Sequence, residues 1–365
     1  MKIIYFLTQK KFFERVGYGS ITHAVGIISG LIENGYDVVV MADRGILEDS
    51  YSNLSCEKLV LPKTLYKKYF FLFNWIKING KKNIIIYRKN LDSLFIFYFF
   101  RNFFKNQILV TEINGLFFDY TKFSKYYFLN KSSELIHKFF LNKNNLIYSV
   151  DEIIQDRLCT GSLALPIKKV KVIYNGGPKL NDEFLNFDNN DFQIKLLYFG
   201  FISEYSELDV VIDACLLSKT KLDIVGDGPL LNQLSSKYGK ETEIKFHGFQ
   251  NDNYIFDLLR NAKKKNFRYV GVCPYKFGNT EKSFAPIKGF KYLSMGLPVL
   301  YSSNSYKNIF IKNIYGFSYS QGSVIGFQNS LKDLTQNYIK TCESIVSNYD
   351  KISWKGRMKE LIYEI

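Results

Sequence analysis

Lys288 and Lys291 lie three residues apart in the stretch 285–298, which reads Ala-Pro-Ile-Lys-Gly-Phe-Lys-Tyr-Leu-Ser-Met-Gly-Leu-Pro. A proline ahead of a helical pattern and Gly-x-Pro behind it predict a loop, a short helix and an abrupt stop. Val299 and Leu300 then begin a strand. The two lysines share nearly one helix face. Lys288 falls at the helix start, where an ammonium beside unpaired backbone N–H groups suits phosphate. The competing reading is two solvated lysines on a basic protein.

Three other places could carry chemistry. Gly17 and Gly19 stand between a strand and a helix N-terminus, so backbone N–H groups there could approach an anion, or simply make a tight turn. His23, in the first turn of that helix, reads as a helix-face residue. Residues 111–115, Thr-Glu-Ile-Asn-Gly, follow a strand end, where ligands of open α/β sheets sit. Glu112 could orient or deprotonate a hydroxyl, with Asn114 beside it, or it could pair with a Lys or Arg. Gly248 and Phe249 follow another strand end and could face a nucleotide base.

The elements that must position these groups alternate between apolar strand-like runs and helical patterns, the signature of parallel α/β layers. Runs 3–7, 38–41, 84–87, 108–111, 146–150 and 169–174 read as strands of a first sheet. Helix-spaced Ile21, Val25, Ile28 and Leu31 end at Gly35. Asn175-Gly176-Gly177-Pro178 is a turn, and residues 180–193 form a polar linker. A second series follows, with strands 195–200, 222–225, 244–246 and 269–273 and a helix over 208–217.

The chain has 365 residues, which suits two domains, and 47% hydrophobic residues supply their cores. Its 33 Phe and 27 Tyr are an excess that compositional bias alone explains. The formal net charge of +15 favours phosphate-bearing partners, but the cations are spread along the chain and no nucleic-acid-binding motif is present. Cys56, Cys159, Cys215, Cys273 and Cys342 are odd in number and widely spaced, which predicts reduced thiols and no zinc site. The first residues lack the apolar core of a signal peptide, and no apolar run reaches the ~20 residues of a membrane span, so a cytoplasmic protein is expected. A basic aromatic region over 65–104 carries Lys67, Lys68, Lys77, Lys81, Lys82, Arg88, Lys89 and Arg101, and includes the apolar run 93–100. It suits peripheral contact with an anionic membrane on the inner face of the cell membrane, or, for the run, a buried helix.

In order and spacing these motifs resemble the GT-B glycosyltransferases of the retaining family 4. Those proteins show Ser-Pro-x-Lys-x-x-Glu-Tyr-x-x-x-Gly-x-Pro-Val at the donor site, and Pro286, Lys288, Tyr292, Gly296, Pro298 and Val299 match it. Residues 174–176 are similar to the family's interdomain turn and 197–200 to its first donor-domain strand. Residues 224–229 are similar to its Val-Gly-Asp-Gly-Pro and 246–249 to its Phe-x-Gly-Phe. Residues 354–363 resemble its last helix. The resemblance covers nearly the whole chain. It implies an α/β fold of two Rossmann-like doubly wound domains facing a cleft. Residues 1–185 would be the acceptor side and 186–349 the nucleotide-sugar domain, with 350–365 packing back on the first.

By the same resemblance Gly17, Gly19, Gly200, Gly248, Phe249, Lys288, Lys291 and Tyr292 would surround the donor, and Glu112 and Asn114 would meet the acceptor. No metal is implied, and no cofactor beyond the nucleotide-sugar as co-substrate. Four charges depart from the pattern. Phe201 and Ser206 stand for an Arg and a Lys that hold the diphosphate, and Ser283 and Lys291 stand for two Glu, with Glu281 two residues out of register. The expected function is transfer of a sugar from a nucleotide-sugar to a hydroxyl of a lipid-carried surface glycan, with retention and without metal. The alternative is a catalytically degenerate GT-B subunit that supports a partner transferase. Charge alone suggests nucleic-acid binding, which the motifs do not support.

Overall fold

The computed structural model describes residues 1–7, 19–80, 82–88, 105–114, 138–139, 141–160, 164–185, 191–276, 287–303, 310 and 314–365. Gly17, Lys81, Lys89, Arg101, Gly115, Glu281, Ser283, Pro286 and the run 93–100 lie outside them.

Seven strands form the first sheet: β1 Ile3–Phe6, β2 Val38–Ala42, β3 Glu57–Val60, β4 Ile84–Arg88, β5 Ile108–Ile113, β6 Leu146–Ser149 and β7 Val170–Val172. Their order is β3-β2-β1-β4-β5-β6-β7, with every pairing parallel. β1, β2, β4 and β6 are buried along their whole length, as continuous apolar strands covered on both faces must be. On one face Ile27, Ile28 and Leu31 of the Gly19–Glu33 helix pack with Trp354, Met358 and Leu361. On the other, Tyr69, Leu72 and Ile76 of the Leu65–Asn79 helix pack on Ile4, Val39 and Ile85.

The second sheet has β8 Gln193–Phe199, β9 Lys221–Val225, β10 Ile244–Gly248, β11 Phe267–Cys273, β12 Val299–Ser302 and β13 Gly316–Tyr319. Its order is β10-β9-β8-β11-β12-β13, again all parallel. This is the six-stranded doubly wound arrangement, in which strand order reverses between the first and fourth strands. The two expected doubly wound domains are therefore present.

The chain divides into two compact units at Gly176/Gly177, with Trp354–Ile365 joining the first. Residues 181–184 belong to the second unit because they pack there: Asn181 N–H donates to the Ser294 carbonyl over 2.8 Å, and the Phe184 ring lies 5.6 Å from that of Phe256. In the first unit, the Trp354–Tyr363 helix packs along the Gly19–Glu33 helix. The close approach requires glycine. A Cβ on Gly26 would fall 2.1 Å from the Trp354 ring, and one on Gly30 would fall 2.4 Å from the Trp354 carbonyl oxygen. Lys171 pairs with Glu364 at 2.7 Å at the far end of the same helix. Among the described residues no helix is long and apolar enough to cross a membrane.

Candidate functional site

Strand order in the second sheet reverses between β8 and β11, so the loops at the carboxyl ends of those strands form its natural ligand position. Gly200 closes β8 with φ 125°, a conformation side chains rarely adopt. At the end of β9, a Cβ on Gly226 would lie 1.9 Å from the Gly200 carbonyl oxygen, so the two loops touch backbone to backbone. The Lys288–Ser294 helix delivers Lys288 to this point. The Lys288 ammonium sits 3.7 Å from the centroid of the Tyr198 ring and 5.5 Å from that of Tyr275. A Cβ on Gly200 would meet Lys288 Cε at 2.7 Å and Nζ at 3.0 Å. Lys288 is half-buried and has no carboxylate partner among the described residues. Aromatic faces hold the cation in place without neutralising it.

Lys291 is different. Its ammonium is bound by Asp252, the first residue of the Asp252–Lys264 helix, and lies 5.3 Å over the Phe199 ring. Among the described residues, one lysine of the pair thus has no carboxylate partner, while the other is paired with Asp252.

Tyr292 corrects a sequence expectation. It is completely buried, with its hydroxyl accepting from the Phe199 N–H at 2.9 Å and its ring over Gly271, where a Cβ would come within 2.3 Å. Its side chain therefore positions the end of β8 and does not meet a ligand. The Gly248 carbonyl accepts from the Gly226 N–H at 2.8 Å, tying the ends of β9 and β10 together. Phe249 follows and is 66% exposed, and Phe201 after β8 is 61% exposed, so both rings stand in water on carboxyl-end loops. Ser206, where the resemblance expects a lysine, is closed on its own turn. Its hydroxyl donates to the Ser203 carbonyl at 2.6 Å and accepts from the Ser203 N–H at 3.1 Å.

In the first unit Glu112 is wholly buried. Its Oε2 accepts from Tyr5 Oη at 2.7 Å and Tyr148 Oη at 2.9 Å. Its Oε1 accepts from Arg88 Nε at 2.9 Å and from Asn114 Nδ2, with His23 Nε2 2.9 Å away at ion-pair distance but outside hydrogen-bond geometry. Burial pushes the carboxyl pKa up. Arg88 first, then His23 and Tyr5, outweigh burial and hold it well below the usual carboxylate range. A carboxylate offers about four lone-pair sites, and five neighbours compete for them. Of the two roles left open for Glu112, this arrangement is the paired one, and Asn114 adds its Nδ2 to it, while its Oδ1 makes no hydrogen bond among the described residues. Glu112 is thus closed off inside the first unit, while Asn114 is only partly buried. His23 is likewise buried, its Nδ1 2.5 Å from Asn175 Oδ1 and its ring edge-on to Trp354 at 5.0 Å. Gly19 is the first residue of its helix.

Sequence reasoning missed a second buried charge. Asp223 in β9 is bound by Lys195 at 2.5 Å, His247 Nε2 at 2.7 Å and the Tyr269 hydroxyl, and His247 Nδ1 meets Tyr254 Oη at 2.7 Å. An acidic residue inside the apolar run of β9 was the available signal.

Comparison with solved structures finds this two-sheet architecture elsewhere. The lipopolysaccharide outer core galactosyltransferase WaaB, apo form, matches at TM-score 0.66 and 15% identity, covering 100% of this chain and 99% of that one. Anabaena HepE in complex with UDP-glucose matches at TM-score 0.62 and 15% identity, covering 100% of both chains. The α,α-trehalose 6-phosphate synthase of Burkholderia multivorans matches at TM-score 0.58 and 10% identity, covering 100% of this chain and 96% of that one. Likeness at such identities shows the fold, which is GT-B. No protein-family model matches the chain, and no curated protein matches it.

Proposed function

We propose that this chain is a glycosyltransferase that takes a sugar from a nucleotide-sugar and places it on a hydroxyl of a surface-glycan acceptor carried on lipid. The observation that carries the reading is Lys288, an ammonium with no carboxylate partner among the described residues, held by Tyr198 and Tyr275 against the glycine turn at the strand-order reversal of the second sheet. Sugar transfer from such a donor leaves negative charge on the departing phosphate. A fixed cation and close backbone N–H groups stabilise that charge as it develops. Gly200, which admits the backbone approach, and the exposed Phe249, which offers a face for a base, complete the donor side. HepE was solved with UDP-glucose, which supports a nucleotide-sugar as the co-substrate here.

From the resemblance to family 4 we take the transfer to retain anomeric configuration and to need no metal, and from the five widely spaced cysteines we take it to occur in the cytoplasm. The reading as a degenerate subunit has its own support. Phe201 and Ser206 carry no charge, and Lys291 is spent on Asp252. One experiment separates the two. The protein is screened by thermal shift against nucleotide-sugars and their free diphosphates, then assayed with each binder for sugar transfer or slow donor hydrolysis. A ligand bound only by the native state at one hundred times Kd stabilises by about 2.7 kcal/mol. Binding with turnover supports transfer. Binding without turnover in the presence of glycolipid acceptors supports the partner role, and no binding refutes transfer and leaves the partner role in its place.

A further inference from the structure

We propose that the outward face of the Leu65–Asn79 helix is a docking surface for an anionic lipid bilayer. The helix has two faces of opposite kind. Tyr69, Leu72 and Ile76 point into the core, and the buried Lys68 ammonium is satisfied by Asp43 at 2.6 Å. On the other side Tyr66, Phe70 and Ile78 are 65%, 54% and 83% exposed. Lys67, Asn74 and Lys77 are exposed between them, with Lys63 just before the helix and Lys82 just beyond it. Steps of three and four residues place Tyr66, Lys67, Phe70, Asn74, Lys77 and Ile78 on one stripe, with Lys63 and Lys82 near its two ends in sequence. At 1.5 Å per residue the stripe runs about 18 Å from Tyr66 to Ile78.

Charge complementarity selects the occupant. No Asp or Glu occurs between Glu57 and Asp92, an interval that holds eight lysines and one arginine. Of these, Lys68 and Arg88 are turned inward onto carboxylates, while Lys63, Lys67, Lys77 and Lys82 remain at the surface. The stripe therefore carries positive charge with no acidic residue of its own. A nucleic acid would give its phosphates to the lysines and could stack a base on the aromatic rings, but has no use for an isoleucine 83% exposed. An anionic membrane interface uses both. Headgroups pair with lysines while Tyr, Phe and Ile enter the headgroup boundary. The helix is well under the length of a span, so it would lie on the surface. Each lysine near such a surface strengthens binding by about five-fold, and exposed charges are screened over ~10 Å at 0.1 M salt.

The test is co-sedimentation with vesicles of equal parts phosphatidylglycerol and phosphatidylcholine, and with phosphatidylcholine alone. It needs no sugar donor, so its failure leaves the proposed activity standing, and failure of that activity leaves this surface standing. The native chain is expected on the anionic vesicles at low salt and off them at high salt. The Lys67→Glu/Lys77→Glu variant should lose at least about 25-fold in partitioning. Tyr66→Ser/Phe70→Ser/Ile78→Ser keeps the charge and should also weaken it several-fold. Lys332→Glu/Lys340→Glu makes the same charge change at exposed positions of the second unit and should bind as the native chain does. All these positions are at the surface, and each variant's melting midpoint is checked against the native one. The proposal is overturned if the native chain ignores anionic vesicles at low salt, if the control variant loses as much as the helix variants, if the serine variant binds fully, or if a nucleic-acid oligomer binds through these lysines while vesicles do not.

Discussion

Replacing Glu112 by Gln separates structure from chemistry at a carboxylate that four side chains hydrogen-bond in the first unit. The glutamine would keep the shape and one carbonyl acceptor, but the buried Arg88 guanidinium, Nε now 2.9 Å from a carboxylate oxygen, would lose that negative charge. The new amide N–H₂ would also face hydroxyls that now donate to this position, Tyr5 at 2.7 Å and Tyr148 at 2.9 Å. Breaking a buried pair by removing one partner costs about 3–5 kcal/mol, and the retained acceptor places this change near 3 kcal/mol. In a unit of this size that lowers the melting midpoint by about 6–12 °C. A compensated variant, Glu112→Leu with Arg88→Met, removes both charges and should be less destabilised than Glu112→Gln, because no charge is stranded. The sign with pH follows from the depressed carboxyl. Its stabilisation is fully present above the unfolded carboxylate value of about 4.3 and is lost as pH falls through the lower folded value. The native chain should therefore converge on the Glu112→Gln variant in acid. Thermal melts from neutral to acid pH measure all of this. A Glu112→Gln variant that melts like the native protein, yet loses sugar transfer, would refute the reasoning and return Glu112 to a catalytic role.

Three other outcomes follow from the same contacts. Gly26→Ala puts a methyl 2.1 Å from the Trp354 ring, so an overpacking cost of about 1–3 kcal/mol should exceed the ~1 kcal/mol gained in helix propensity, and Trp354→Leu in the same chain should remove most of that cost in a four-variant thermal cycle. Asp223→Asn should destabilise the second unit by about 2 kcal/mol, less than a fully buried pair because Lys195 is 21% exposed. Burial pushes the Asp223 carboxyl up, but His247, Lys195 and Tyr269 together hold it down, so this loss too should vanish in acid melts. At the reversed donor position, Lys291→Glu with Asp252→Lys restores the ion pair with a carboxylate on the Lys288–Ser294 helix. That variant should prefer the nucleoside diphosphate of the best donor over its 2′-deoxy analogue by about ten-fold, where the native chain discriminates little. A native chain that already discriminates strongly by calorimetry would contradict this reading of Lys291.

What the sequence disclosed depended on whether the signal was local. Central strands such as β1, β2 and β4 are unbroken apolar runs because both their faces are covered, and they could be read directly. β3, Glu57–Val60, is a half-exposed edge strand without such a run, and β13, Gly316–Tyr319, is only four residues long; neither stood out. Lys288 was legible because proline and glycine punctuate its short helix. The Glu112 and Asp223 networks join residues 24 to 107 positions apart, and no spacing rule announces them. Tyr292 was read as a ligand contact from its motif, whereas Gly271, 21 residues earlier in sequence, provides the hollow that buries it. The chain's choice of Asp252 as the partner of Lys291 likewise depended on two helices meeting in three dimensions.

The central claim is that Lys288 is the cation that meets the donor's phosphates. The most direct measurement is calorimetric titration of the native protein and its Lys288→Ala and Lys288→Arg variants with the nucleoside diphosphate of the best donor and with the bare nucleoside. A hydrogen bond to a charged group contributes about 1.5–3 kcal/mol. The account therefore expects Lys288→Ala to weaken diphosphate binding by about 10- to 150-fold, to leave nucleoside binding unchanged, and to be partly rescued by arginine. Equal affinity of the native and alanine proteins for the diphosphate, with both folded, would contradict it.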